Sequence, residues 1–523
     1  MIQDINLRLN PRAAASPELL QAEVLKSLRI PPSTLHDIRI IRRSIDARQR
    51  NVAINLTIRV ATDEDKQIPT PRQHETTLPT LPPSAPQIII VGAGPAGLFA
   101  AIRAIELGMR PIILERGADV DNRRNILTTL SRQQQVDPDT NYCFGEGGAG
   151  AYSDGKLYTR SKKRGPVRQV LETLVANGAS EDILIDAHPH IGSDKLPAVI
   201  KSMRLSIIKA GGIVKFHSKV ESLSIEDNTV TGAVTADGSK WHGPVILATG
   251  HSARDTYRML HSLNIPMEAK GLAIGVRLEH PQTLIDCIQY HSPHGRGKWL
   301  PAAEYTFVEQ VEGRGVYSFC MCPGGVIVPS PSAPGQSVVN GMSASARASK
   351  WANSGMVVEI HPGDIPGFDS HGALEMLELQ ESLEKSFFVA AGNTLKAPAQ
   401  RMTDFCKSKI SSSLPSSSYI PGLISMPLHF LLPPFIASRL QEGLKRFGRK
   451  CKGFLTPEAT LIGLESRTSS PIRIPRDATA LSHTSIAGLY PCGEGAGYAG
   501  GIVSAAIDGI RCAEALAANT ILQ

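Results

Sequence analysis

Glycines at set spacings carry the clearest chemical signal in this chain. Gly92-Ala-Gly94-Pro-Ala-Gly97 follows the apolar run Ile88-Ile-Ile-Val91 and opens a helical pattern over 98–107. Gly92 permits a tight strand-to-helix turn, Gly94 lets the backbone approach a pyrophosphate, and Gly97 lets helix and strand pack closely. Pro95 and Ala96 belong to the same turn, and the helix amino end that follows offers free N–H groups and partial positive charge to phosphate oxygens. A strand over 111–114 then ends at Glu115, placed where a carboxylate accepts hydrogen bonds from ribose hydroxyls. Arg116 belongs to the same turn. This is a dinucleotide site.

The same GxGxxG spacing recurs at Gly145-Gly147-Gly150 and Gly495-Gly497-Gly500. The former lacks a strand immediately before it. The latter follows a plausible strand over 486–490, yet too little chain remains for a second strand ending in an acid. Only the first occurrence has the full βαβ-acid context. Glu115 disfavours a 2′-phosphate and leaves NAD or FAD. A second glycine loop, running from Phe144 through Gly147, Gly148 and Ala149 to Ser153-Asp154-Gly155-Lys156, is too glycine-rich for a core element. It could wrap a ring and a phosphate. Short alternating strands follow from Val220 to Trp241, and an apolar strand from Val245 stops at Thr249-Gly250. The last loop, Gly493-Glu494 to Gly501, precedes a small-residue helix starting at Ile502. Two sites so far apart in the chain, converging on one long cofactor, fit FAD better than NAD.

This order resembles the flavoproteins with two dinucleotide-binding domains. More closely, the chain resembles the bacterial FAD-dependent dehydrogenase, or NAD(P)/FAD-dependent oxidoreductase, family of unassigned substrate. The residues that carry this likeness are Phe144-Gly-Glu-Gly-Gly-Ala-Gly150, Ser153-Asp-Gly-Lys-Leu157 and His190-Ile-Gly-Ser-Asp-Lys-Leu196. Gly250-His-Ser-Ala-Arg-Asp255, Phe319-Cys-Met-Cys-Pro-Gly-Gly325, Arg467-Thr-Ser-Ser-Pro-Ile-Arg473 and Tyr490-Pro-Cys-Gly-Glu-Gly-Ala-Gly-Tyr-Ala-Gly-Gly501 complete it. The resemblance implies bound FAD, a turn at Thr249-Gly250 lying over the adenine dinucleotide half, and an acid at Glu494 holding a ribitol hydroxyl. It also implies that the helix amino end at Gly500, Gly501 and Ile502 faces the pyrophosphate and the flavin pyrimidine edge. Many members carry Asp where Glu494 stands. Gly493 and Gly497 shape the same loop.

Beyond the cofactor, Lys156 could stabilise a reduced flavin electrostatically, and Tyr498 could contact the ring face. These two are the catalytic candidates. Arg467 and Arg473 could bind a substrate carboxylate or phosphate. Cys320-Met-Cys322 is read as packing in preference to a redox pair. Eight cysteines without CxxC spacing make neither a disulfide framework nor a metal knuckle, and the histidines lack partners at ligand spacing, so no metal is expected.

The supporting organisation follows from composition and pattern. At 523 residues the prior is about three domains. The hydrophobic share of 42% excludes general disorder. No apolar leader and no spanning segment are evident, so a soluble, cytoplasmic protein is expected. Residues 1–60 form a basic α+β module, ferredoxin-like in its β-α-β-β order. Its helix is predicted from an N-cap at Ser16, and its third strand from alternating Ile54, Leu56, Ile58 and Val60. A proline-rich linker covers 61–86. The expected fold is α/β: a Rossmann-like FAD-binding domain of the glutathione-reductase type (87–265 and 451–523), interrupted by an α+β substrate or cap domain (266–450). Residues 411–418 read as a surface loop. The functional reading is an FAD-dependent oxidoreductase exchanging a hydride between a small molecule and flavin N5. The alternatives are a monooxygenase served by transient NAD(P)H, and an RNA-associated flavoprotein binding a polyanion or protein through residues 1–60.

Overall fold

A computed structural model describes residues 1–62, 68, 77–158 and 165–521. Half of the expected 61–86 linker lies outside them. The first module is a three-stranded antiparallel sheet in which Ala53–Ala61 lies between Ile2–Leu9 and Asp37–Asp46. Ile54, Leu56, Ile58 and Val60 are buried, and Ile5 pairs with Ile58 and Leu7 with Leu56. The period-2 pattern therefore puts one face against the helix Pro17–Leu28, whose Ser16 hydroxyl accepts from the Leu19 amide. A short helix at Pro11–Ala15 escaped the sequence pattern because it spans barely more than one turn.

The nucleotide-type sheet is all parallel, in the order Leu489–Pro491, Val245–Leu247, Gln87–Val91, Arg110–Leu114, Ile213–Lys215. Its central strand is covered on both faces. Ile88 and Ile90 enter one apolar cluster while Ile89 and Val91 enter another. The strand expected over 486–490 is shorter and later, at Leu489–Pro491. The helices Pro95–Glu106 and Ile502–Ile521 lie side by side against this sheet. They approach so closely that a side chain at Gly509 would overlap the Ala96 carbonyl.

A seven-stranded mixed sheet forms the second large body, with the helices Glu375–Ala390 and Pro434–Lys450 packed on it. It begins with Leu272–Pro281 and includes Thr460–Glu465, so this sheet continues past the expected boundary at 450. Alternating burial cannot reveal that a strand crosses from one body to another. The serine-rich stretch is also more than a surface loop. Ser411 is buried, and Ser418 binds the enclosed Glu279 carboxylate through its amide and hydroxyl.

Among the described residues no helix is long and apolar enough to cross a membrane. The packing of the two helices sets a first test. Gly509→Ala is expected to lower the thermal midpoint, at a cost of about 1–3 kcal/mol for forced separation of close-packed backbones. An unchanged melting curve contradicts the tight helix contact.

Candidate functional site

The first glycine turn, the second glycine loop, the turn after Leu247 and the last glycine loop enclose one cavity of about 390 Å³. That is a ligand-sized space. Gly92, Gly94, Pro95 and Ala96 line it from the first helix, and Gly500, Gly501 and Ile502 line it from the last. The helix at Pro95 starts without a side-chain cap, leaving its first-turn amides for a ligand. Between the two helix starts stands Gly150. A Cβ there would lie 3.2 Å from Ile502 Cγ1 and 3.5 Å from Pro95 Cγ. A side chain at residue 150 would crowd the space between the two helix starts.

The second glycine loop is held by Arg123, which is fully buried and donates to the carbonyls of Asn141, Glu146 and Gly148 at 2.8–2.9 Å. This staple presents Gly148, Ala149 and Gly155 to the cavity, together with Ser153 and Asp154. Asp154 pairs with Arg347 across the fold. Lys156 also lines the cavity, with its ammonium donating to the Met321 carbonyl.

Glu115 is buried, as the strand-end reading requires, but most of its acceptors are taken. Oε1 accepts from Gly117 and Gly145, and Oε2 accepts from Ala93, all at 2.9–3.0 Å. One lone-pair position, on Oε2, is left for a ligand hydroxyl. Arg116 stacks over Phe144, 4.4 Å from the ring centroid, and is shared by Asp139 and Asp255. Lys219 also reaches Asp255, at 3.2 Å, so the positive groups near Val220 are balanced by carboxylates.

At the other end Glu494 and His251 meet, and Thr249 and Gly250 line the same cavity. His251 Nε2 is 3.8 Å from Glu494 Oε1, and His251 Nδ1 is buried without a partner. Burial, reinforced by Arg467 and Arg254, pushes the imidazole down to about 4, so it is neutral at pH 7. Enclosure raises the Glu494 carboxyl to about 7, with Cys320 adding to the effect. With His251 neutral, the two groups at 3.8 Å form neither an ion pair nor a hydrogen bond. His251 enters the sequence reading only as part of the Gly250–Asp255 motif and not as a lining residue, since nothing in its spacing marks a ligand contact.

Several expected residues stand elsewhere. Gly97 packs behind the turn, where a side chain would overlap the Gly92 carbonyl. Gly147, Gly493 and Gly497 shape their loops without lining the cavity. Tyr498 lies outside it, stacked under Arg476 at 3.8 Å with its hydroxyl donating to the Ile474 carbonyl. It is not placed to touch a ring in the cavity. Arg473 is exposed beside Tyr498 and also does not line the cavity. Both lie on the outer side of the loop, a choice that residue spacing leaves undetermined. Arg467 does line the cavity, yet Glu384, Gln336 and Cys143 occupy its three nitrogens at 2.9–3.3 Å. It is a structural anchor, not an open anion clamp.

All eight cysteines are free. Cys320, Cys143 and Cys492 line the cavity. Cys492, Asp508 and Cys512 cluster nearby, but the Asp508 carboxylate is held by Arg476 and the Gly493 amide. In the N-terminal module, Arg8 and Arg48 pair with Asp46, Arg59 with Asp4, and Arg43 with Asp182 and Asp186. Four of the module's arginines are thus paired with carboxylates, and Arg43 ties the module to the rest of the chain.

The residues fit a long phosphate-bearing cofactor: uncapped helix amides at one wall, a glycine cradle between two helices, a ribose-compatible acid, and an orphaned buried imidazole nitrogen. Comparison with known proteins points the same way. Residues 271–468 match a family model described as FAD-dependent protein, C-terminal domain-like, and residues 1–61 match a domain of unknown function. A Clostridium beijerinckii protein, described as uncharacterized, is 39% identical over 530 residues, covering 98% of this chain and 97% of its own length. Among solved structures, a geranylgeranyl bacteriochlorophyll reductase-like protein from Thermoplasma acidophilum has a TM-score of 0.35 at 14% identity, covering 84% of this chain and 80% of that one. Glycine oxidase from Bacillus cereus has a TM-score of 0.31 at 13% identity, covering 83% and 95%. Likenesses this loose decide nothing about chemistry.

The raised Glu494 carboxyl predicts a pH effect. Between its ordinary value of 4.5 and about 7, the folded protein keeps a proton that the unfolded chain releases. Stability from this group is therefore lost as pH rises through that window. In protein stripped of cofactor, Glu494→Gln is expected to gain thermal midpoint over the parent on going from about pH 5 to about pH 8. An equal difference at both pH values contradicts the assignment.

Proposed function

This chain belongs to the bacterial family of FAD-dependent proteins with no assigned substrate, and from that premise we propose that it is an oxidoreductase exchanging a hydride between a small molecule and flavin N5. The observation supporting this reading is Gly150, which leaves two helix amino ends open on the same cavity. Bound FAD would supply the electron-transfer chemistry, and the protein would orient the substrate and tune the ring.

In this reading the amides of the helix starting at Pro95 hold the pyrophosphate, and Glu115 takes one ribose hydroxyl on its remaining Oε2 position. Val220, Thr249 and Gly250 would hold the adenosine half, and Glu494 would accept from a ribitol hydroxyl. The amino end at Gly501 and Ile502 and the glycine loop from Gly148 to Gly155 would offer amides to the rest of the cofactor. Lys156, fixed on the Met321 carbonyl, keeps its remaining N–H donors and its charge for the reacting end. His251 is held neutral and can accept or donate a single hydrogen bond.

The flavin-binding part, of the glutathione-reductase type, would comprise residues 87–265 and the chain after the Thr460–Glu465 strand. The intervening sheet and helices form the substrate or cap part, and the first module is ferredoxin-like. Among the described residues there is a single all-parallel sheet. Any nicotinamide partner would therefore visit transiently instead of occupying a domain of its own.

The test is anaerobic mixing of flavin-loaded protein with NADH, NADPH and a panel of small organic reductants. At least one is expected to bleach the bound flavin about tenfold or more faster than free FAD, a barrier difference of about 1.4 kcal/mol. If none does, the flavin is structural and the oxidoreductase reading fails.

A further inference from the structure

The strand Arg314–Cys322 does not stay regular to its end. Its pairing with Trp351–Ile360 slips between Phe319 and Cys322, and Cys320 has a φ of +43°. Such a bulge re-aims side chains, and a non-glycine residue in this backbone region is held there by its surroundings. The result is that Cys320 faces the cavity while Cys322, two residues on, is fully buried behind it. The Cys322 thiol donates to the Cys320 carbonyl at 3.5 Å.

Two cations frame this pair. Arg277, fully buried on the strand Leu272–Pro281, donates to the Cys320 carbonyl at 2.7 Å and lies 3.5 Å from Cys322 Sγ. Its charge is shared with Glu465 at 2.9 Å. Lys156 arrives from the glycine loop and binds the Met321 carbonyl, between the two cysteines. Asp154 on the same loop and Glu494 on the last loop oppose the cations. The neighbouring Cys322 thiol, with Arg277 and Lys156, holds the Cys320 thiol well below its ordinary range. Burial and the neighbouring sulfur raise Cys322. A reactive, accessible thiol beside a buried second thiol is the arrangement expected of an attacking and a resolving cysteine.

We propose that Cys320 and Cys322 form a dithiol/disulfide couple that exchanges with small disulfides entering the cavity. Cys320 thiolate attacks one sulfur of a disulfide RSSR, forming a Cys320–SR mixed disulfide and releasing RS⁻, which takes up the proton that Cys320 had lost. Cys322 then loses its proton and attacks Cys320 Sγ, forming the Cys320–Cys322 bond and releasing the second thiol. The sum is two protein thiols plus RSSR giving one protein disulfide plus two RSH. Two electrons pass from the cysteines to the small disulfide. This extends beyond the flavin reading and does not depend on it.

The test uses full-length purified protein, reduced, desalted, exposed to hydroxyethyl disulfide, then alkylated and digested for mass spectrometry. In the parent, the peptide carrying both residues is expected to lose two hydrogens and to resist alkylation until reduced again. In Cys322→Ser, Cys320 is expected to retain the hydroxyethylthio group. In Cys320→Ser, Cys322 is expected to remain a free thiol. Parent protein in which both cysteines still alkylate fully, while the partly exposed Cys287 has reacted, overturns the proposal. A disulfide from Cys320 to Cys143 overturns the pairing. The readout counts thiols, so its failure is distinct from failure of the oxidoreductase reading.

Discussion

The close approach of two helix amino ends, with Gly150 between Pro95 and Ile502, is the constraint from which the rest of the site follows. The helices come from opposite ends of the chain and are locked together where Gly509 meets the Ala96 backbone. Each brings a first turn whose amides lack helical partners. A cavity walled by two such turns favours negative charge without needing a lysine or arginine at that wall. A dinucleotide pyrophosphate is the kind of group that answers this demand.

The charged side chains around the cavity work mainly as structure. Arg116 and Lys219 are balanced through Asp255, Arg254 and Arg467 share Glu384, and Arg347 holds Asp154. Breaking such a buried pair leaves an uncompensated charge, which explains why these residues can be fixed in place without contacting a ligand. Lys156 is the contrast: its partner is a neutral carbonyl, so its charge remains directed at the cavity. The same carbonyl lies between Cys320 and Cys322, joining the glycine loop of one body to the bulged strand of the other.

Sequence carried the local, periodic features well. The alternation through Ile54, Leu56, Ile58 and Val60, the buried run from Ile88 to Val91 and the turn at Gly92 all reflect short-range sterics that residue type alone imposes. Loops were harder. Tyr498 stands four residues after Glu494 and packs beside Arg473, yet neither lines the cavity, because the direction of a loop side chain is set by what packs beneath it. The bulge that turns Cys320 inward has no sequence mark, since it arises from pairing with a strand more than thirty residues away. Arg123, the staple of the glycine loop, reads in sequence as one more polar helix residue.

The central claim is that both helix amino ends serve one ligand. The most direct measurement is a crystal structure of the protein grown with FAD. A single FAD, with its adenine ribose at Glu115 and its ribityl chain at Glu494, is the result expected. Flavin bound away from Gly150, or a cavity that stays empty at saturating FAD, would contradict it.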